Sequence, residues 1–242
     1  MRLVILHARA QTLALLRYPS FSVPTLAFPA IFFAFFGLPR ADHRANLLLA
    51  SFCAYAVLSV AFFQFGVGIA QDRTRPWELY VRTLPVGFGT RLAARSVSAG
   101  VFTAASLAVV LAVALPTTSV SLGAVACVRL GAALAAGGVT FVVFGIALGY
   151  WVPPRGALPV ANILYLTLAY AGGLWTGPTG VPDAVVSISS WLPTRLWANV
   201  LWEAAAGHSW RPAYFAGLAA YLACFVALAV RGYRRDEGQR FR

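Results

Sequence analysis

The chain of 242 residues has no lysine and only seven acidic residues. Without lysine it can form neither a P-loop lysine–phosphate contact nor a lysine Schiff base. The acids are Asp42, Asp72, Glu78, Asp183, Glu203, Asp236 and Glu237, and all stand outside the long apolar runs. A proton- or sodium-driven carrier usually needs an ionisable or ion-coordinating group at membrane depth, so self-powered transport is disfavoured. Sodium sites made of backbone carbonyls stay open. Cys53, Cys127 and Cys224 are isolated, form no CxxC and suggest no disulfide framework; they read as small buried hydrophobes. No HExxH, GxSxG or HxE…PCxxC pattern occurs, so the sequence offers no metal site and no catalytic residue.

What is present is apolar surface. The composition is 60% hydrophobic and 11% charged, with mean hydropathy +0.75. Six stretches, 18–38, 46–70, 97–115, 130–152, 157–177 and 212–230, are almost free of charge. Each is long enough for a helix across a hydrocarbon core of about 30 Å. The expectation is one all-α membrane domain over 1–242 with six transmembrane helices; the short alternating segments of a β-barrel are missing. Tyr18-Pro19 and Pro24 interrupt the first apolar run, and no cleavage site of a signal peptide follows.

The net charge of +12 is explained by topology. With the amino terminus inside, Arg2, Arg9, Arg17, five arginines of the 71–95 loop, Arg155 and the tail arginines from Arg231 to Arg242 fall on the inner side. Only Arg40, Arg44, Arg129, Arg195 and Arg211 fall outside. The positive-inside rule then places both termini in the cytoplasm of a multi-pass cell-membrane protein. Nucleic acid is not an expected partner, because no soluble basic surface carries interleaved aromatics.

Residues 2–17 read as an interfacial helix, with Leu3, Val4, Leu6, Leu13 and Leu16 as its apolar area and Arg2 and Arg9 sharing a face. Gln64 is a rare polar side chain within a span and suits an interhelical hydrogen bond. Gly145-Ile-Ala-Leu-Gly149 matches GxxxG, and the small residues around it suggest an interior span. Residues 178–211 are long for a turn yet apolar. Pro182-Asp183 and Pro193-Thr194 look like starts of two short helices in an interfacial or re-entrant hairpin on the outer side. The basic tail reads as an inner-leaflet anchor on membrane lipid.

The densest charge lies in 71–95, with Arg73, Arg75, Arg82, Arg91 and Arg95. Between Pro76 and Pro85, Trp77, Tyr80 and Leu84 form an apolar ridge at helical spacing beside Glu78 and Arg82, an i,i+4 pair. Such a ridge suits docking of a protein, or a helix lying on lipid; the pattern alone leaves both open.

Three stretches resemble permease subunits of type-2 ATP-binding-cassette (ABC) transporters, in order and spacing over nearly the whole chain. They are Gly68-Ile-Ala-Gln-Asp-Arg73 leading to Arg82-Thr-Leu-Pro85; Phe144-Gly-Ile-Ala-Leu-Gly149; and Gly172-Gly-Leu-Trp-Thr-Gly-Pro178 through Val181-Pro-Asp to Ile188-Ser-Ser-Trp-Leu-Pro193. The resemblance implies an amino-terminal surface helix, a cytoplasmic coupling helix at 76–84 and short outer helices before the last span. It implies docking of a separate ABC ATPase subunit on Pro76, Trp77, Glu78, Tyr80, Arg82 and Leu84. ATP and Mg would be bound by that partner, with no cofactor in this chain. It also implies a second permease, identical or related, and a translocation path for which Gln64, Phe65, Asn162, Tyr165 and Thr167 are candidates. The family often carries Glu at the place of Asp72, and here Thr74 and Arg75 replace its glycine region. The expected activity is export of an amphipathic or hydrophobic cargo. The alternatives are a membrane enzyme acting on lipid-linked substrate through His208, Glu203 or Asp183, and a non-transporting scaffold subunit.

Overall fold

A computed structural model describes residues 2–40, 44–76, 87–181 and 183–238. Within them the chain is helical and without strands: α1 (Arg2–Leu16), α2 (Pro19–Phe32), α3 (Ala45–Val60), α4 (Gly68–Asp72), α5 (Phe88–Thr117), α6 (Ala124–Trp151), α7 (Pro154–Ala171), α8 (Asp183–Ser189), α9 (Pro193–Ala205) and α10 (Pro212–Gly238). α2 runs on through a π-helical turn, Phe33–Gly37, and a 3-10 turn, Leu38–Arg40. A longer π-helical stretch, Ala61–Val67, joins α3 to α4 without a break.

Five helical stretches are long and apolar enough to cross a membrane: Phe21–Arg40, Ala45–Asp72, Gly89–Thr117, Ala124–Trp151 and Pro212–Glu237. α7, expected as a span over 157–177, is not among these five; it has 18 residues and carries Arg155, Pro159, Asn162 and Thr167. It stops short because Gly173 takes φ +81°, open to glycine at little cost. The Leu174 and Gly173 amides then bond back to the Ala169 and Tyr170 carbonyls and close the helix. Gly207 ends α9 the same way, with φ +76° and the His208 amide on the Glu203 carbonyl.

α3 is the central helix. Its residues from Leu48 to Val60 are all buried, as expected of a helix that is apolar all round. α2 accommodates Pro29 because a side chain takes over the carbonyl that the missing N–H leaves free. Pro29 deprives the Thr25 carbonyl, and Ser106 of α5 donates to it at 3.2 Å.

The GxxxG pattern of α6 is a backbone contact. A Cβ on Gly145 would lie 2.3 Å from the Ala61 carbonyl oxygen, and one on Gly149 2.9 Å from that of Gly66. α6 therefore nests directly against the π-helical stretch of α3, where small residues permit it.

The segment before the last span behaves as two different pieces. α8 leaves Val186, Ile188 and Trp191 exposed. α9 instead enters the bundle among α3, α6 and α10. Trp197 is fully buried, donates to the Ala133 carbonyl at 2.8 Å and fills the space left by Gly137. Trp202 donates to Ser51 Oγ on α3 at 2.7 Å. α1 lies on α5 through Ala8 and a Thr12–Ser98 hydroxyl bond of 3.0 Å, with Leu3, Ile5, Leu6, Leu13 and Leu16 turned outward.

Candidate functional site

Two places combine chemistry with position. The first is the root of the 71–95 loop. α4 ends at Asp72, and the chain leaves it through a turn in which the Thr74 and Arg75 amides bond to the Gln71 and Asp72 carbonyls. A turn thus forms without the glycine that the family resemblance led one to expect there.

Arg73 folds back into the bundle. Its Nε meets Asp236 of α10 at 2.8 Å, and one terminal nitrogen donates to the Gly149 and Tyr150 carbonyls at 3.1 Å each. Those carbonyls belong to the last turn of α6, where the helix dipole favours a cation and no intrahelical donor remains. Asp72 faces the other way: it binds Arg95 of α5, and Arg75 at 3.1 Å. Arg95 also donates to the Gln64 carbonyl at 2.8 Å. The root of the loop is therefore tied to α3, α5, α6 and α10 through charged groups. Pro76 is exposed. Trp77, Glu78, Tyr80, Arg82 and Leu84 lie outside the described residues.

The second place is an aromatic cluster between α2, α3, α7 and the turn after α7. Tyr55 and Tyr165 stack at 4.6 Å, Phe32 sits 4.9 Å from Trp175, and Phe36 stacks on Trp175 at 5.4 Å. Tyr55 and Tyr165 are buried, and the Tyr55 hydroxyl, the Tyr165 hydroxyl and the Trp175 indole N–H face one another, with Ser59 beside Tyr165, but none of the three makes a hydrogen bond of good geometry. A buried polar group without a well-made hydrogen bond costs up to about 1–3 kcal/mol, so three in one cluster are conspicuous. Tyr165→Phe is accordingly expected to leave thermal stability unchanged or raise it by up to about 1 kcal/mol, because it removes a hydroxyl whose hydrogen bonds are poorly formed. A melting experiment showing a loss of more than about 1 kcal/mol would mean that the hydroxyl is satisfied in the protein.

The five path candidates are not brought together. Tyr165 lies in the cluster. Gln64 is buried and donates to Ser98 Oγ on α5 at 3.0 Å, and Phe65 packs with Val60, Ala99 and Phe102. Asn162 is half-buried and Thr167 exposed on α7. The reason is angular: residues two apart on a helix, such as 165 and 167, point to widely separated sides. Tyr55 and Trp175 were not singled out as path residues. A tyrosine inside an otherwise apolar span was the available signal for Tyr55, and Trp175 lies within a stretch that carried the family resemblance.

The polar residues of the enzyme alternative are engaged or solvated. Glu203 accepts from the Arg211 amide at 3.0 Å and pairs with its side chain at 3.5 Å, while His208 and Asp183 are exposed. Among the described residues no three His, Cys, Asp or Glu side chains group as metal ligands.

No protein-family model matches the sequence. The chain is similar to a protein of Bacillus subtilis (strain 168) named "Putative transport permease YvfS", 26% identical over 238 residues. The match covers 94% of this chain and 96% of the relative, so the likeness extends over nearly the full length of both. The protein is a multi-pass membrane protein.

Proposed function

We propose that the chain is the membrane subunit of an ABC exporter, driven by ATP that a separate cytoplasmic subunit binds with Mg and hydrolyses. The observation that carries this reading is the root of the charged loop. A segment whose sequence suits docking is useful to a machine only if displacement at the dock reaches the spans. Here Arg73 and Asp72 fasten the loop to four helices before it leaves the bundle. The similarity to a transport permease along both whole chains supports the same reading.

In this account 76–84 is the coupling helix, and Trp77, Tyr80 and Leu84 enter a groove of the ATPase while Glu78 and Arg82 fix its orientation. α7 is the sixth crossing, α1 lies in the inner interface, and both termini are cytoplasmic. A second permease faces the first. The cargo path follows α7 past Asn162, Tyr165 and Thr167, with Tyr55 and Trp175 added, and Gln64 and Phe65 on the α3 side. Stacked rings suit the apolar body of an amphipathic cargo, and the hydroxyl and indole donors suit a head bearing hydrogen-bond acceptors.

Purification in mild detergent from native membranes is expected to retain a stoichiometric chain with a P-loop and ATPase activity. Trp77→Ala combined with Arg82→Glu should remove that chain by at least about tenfold while the permease stays monodisperse, as loss of an aromatic and a charged anchor would. Retention of the ATPase by the double variant would refute the docking assignment, and a solitary wild-type chain would refute the partner-driven reading.

A further inference from the structure

The π-helical stretch Ala61–Val67 sits in the middle of an otherwise α-helical rod, from Ala45 to Asp72. A π turn accommodates an extra residue, so its loss would rotate everything beyond it by about 100° relative to α3. Such a segment has two discrete registers. Something must favour the one observed.

Arg95 is placed to do so. It approaches from α5, and one terminal nitrogen donates to the Gln64 carbonyl at 2.8 Å, within the π turn. Its other terminal nitrogen is held by Asp72, the last residue of α4. The Arg95 side chain is 14% exposed and Asp72 19%, so water competes weakly with either bond. Gly68 leaves the passage open, since a Cβ there would lie 2.8 Å from the same guanidinium nitrogen. On the same turn the Gln64 amide donates to Ser98 Oγ of α5 at 3.0 Å. The observed register also turns Gly66 and Ile69 to the α6 face that carries Leu148 and Gly149.

We infer that Arg95 is a positioning residue that pins α3 in its π register, and that Asp72 orients the pin. Because Asp72 is the last residue of α4 before the 73–87 connection, displacement of that connection loosens the pin and lets α4 rotate against α6. Only this last step rests on the reading of the loop as a docking segment. The register itself can be tested without partner, ATP or cargo, so failure of one is distinguishable from failure of the other.

The test is a cross-link that only the π register permits. A Cβ built on Gly66 lies 3.8 Å from the Leu148 Cβ, the spacing of a disulfide. In the full chain with Cys53, Cys127 and Cys224 changed to alanine, Gly66→Cys with Leu148→Cys should oxidise readily in the membrane. Adding Arg95→Gln should lower the yield roughly tenfold, the factor expected for losing a charge-assisted hydrogen bond. A second pair, Asn46→Cys with Ser121→Cys joined by a short bis-thiol-reactive reagent, reports the start of α3 on the turn before α6, remote from Arg95, where Asn46 and Ser121 exchange hydrogen bonds of 2.9 and 3.0 Å. Loss of the first cross-link with the second retained supports the pin. An unchanged first cross-link means that packing on α6 alone fixes the register, and overturns it. If Arg95→Gln loses both, Asp72→Asn decides: a selective fall of at least about twofold supports the pin, and no fall overturns it.

Discussion

Gly145→Leu is expected to abolish the folded protein, lowering the monodisperse yield by at least about tenfold, because overpacking that cannot relax costs several kcal/mol. The first atom added to Gly145 would lie 2.3 Å from the Ala61 carbonyl oxygen and 3.2 Å from the Phe65 Cβ. Backbone cannot swing aside as the end of a flexible side chain can. The neighbouring contact is also close, since a Cβ on Gly149 would lie 2.8 Å from the Ile69 Cβ, so α6 cannot slide along α3 to make room. In lipid, apolar helices gain little by leaving the solvent for each other, and close packing carries much of their association. The contrast is Gly131→Ala on the same helix, where a Cβ meets nothing within 4 Å. That change should be neutral or raise the melting temperature slightly, by up to about 1 kcal/mol of helix propensity. Size-exclusion profiles and melting curves of the two variants check the pair; a Gly145→Leu protein that behaves like the wild type would refute the packing account.

The second large effect is expected at Arg73. Arg73→Gln leaves Asp236 charged at 8% side-chain exposure and takes a donor from the carbonyls that end α6. Breaking a buried pair by removing one partner costs about 3–5 kcal/mol. The lower figure is expected here, since the Arg73 side chain keeps 18% exposure. Arg75→Gln is the control. Arg75 pairs with Asp72 at 3.1 Å but is 62% exposed, which limits its worth to under about 1 kcal/mol. Arg73→Gln with Asp236→Asn should recover part of the loss, because the carboxylate that faced Arg73 is then replaced by a neutral amide, and the cycle should show coupling of about 1–3 kcal/mol. Equal melting temperatures for Arg73→Gln and Arg75→Gln would mean that the Arg73–Asp236 contact does not hold the loop root.

The helices were largely legible because their signals are local. Apolar runs gave their existence and Pro193 the start of α9, whereas Gly173 ends α7 inside the stretch 157–177 that was expected as one span. The GxxxG pattern at Gly145 could be read as close packing, but not the element it packs against, because that partner is a π turn some eighty residues upstream. Tyr165 was a path candidate through the family resemblance, whereas its neighbours Tyr55 and Trp175 come from other elements and share no spacing with it. The hairpin of 178–211 was placed as interfacial or re-entrant, and the structure separates its halves: α8 stays exposed while α9 is buried. Hydrophobicity alone could not make that distinction, since apolar residues suit both lipid and a bundle interior.

The sequence by itself determined that this is an apolar helical protein with no lysine chemistry, no acid deep in a span, and a charged loop between its second and third apolar runs. These follow from composition and order along the chain, which no folding can change. The tertiary structure decided what the few charges do. Arg73, Arg95, Asp72 and Asp236 lie near the ends of their helices, where sequence reads them as boundary residues. Folding brings positions 163 apart within 2.8 Å and turns the boundaries into ties between helices. It also decided the register of α3, because a π turn is chosen by neighbours supplied from α5 and α6 rather than by the residues of Ala61–Val67 alone.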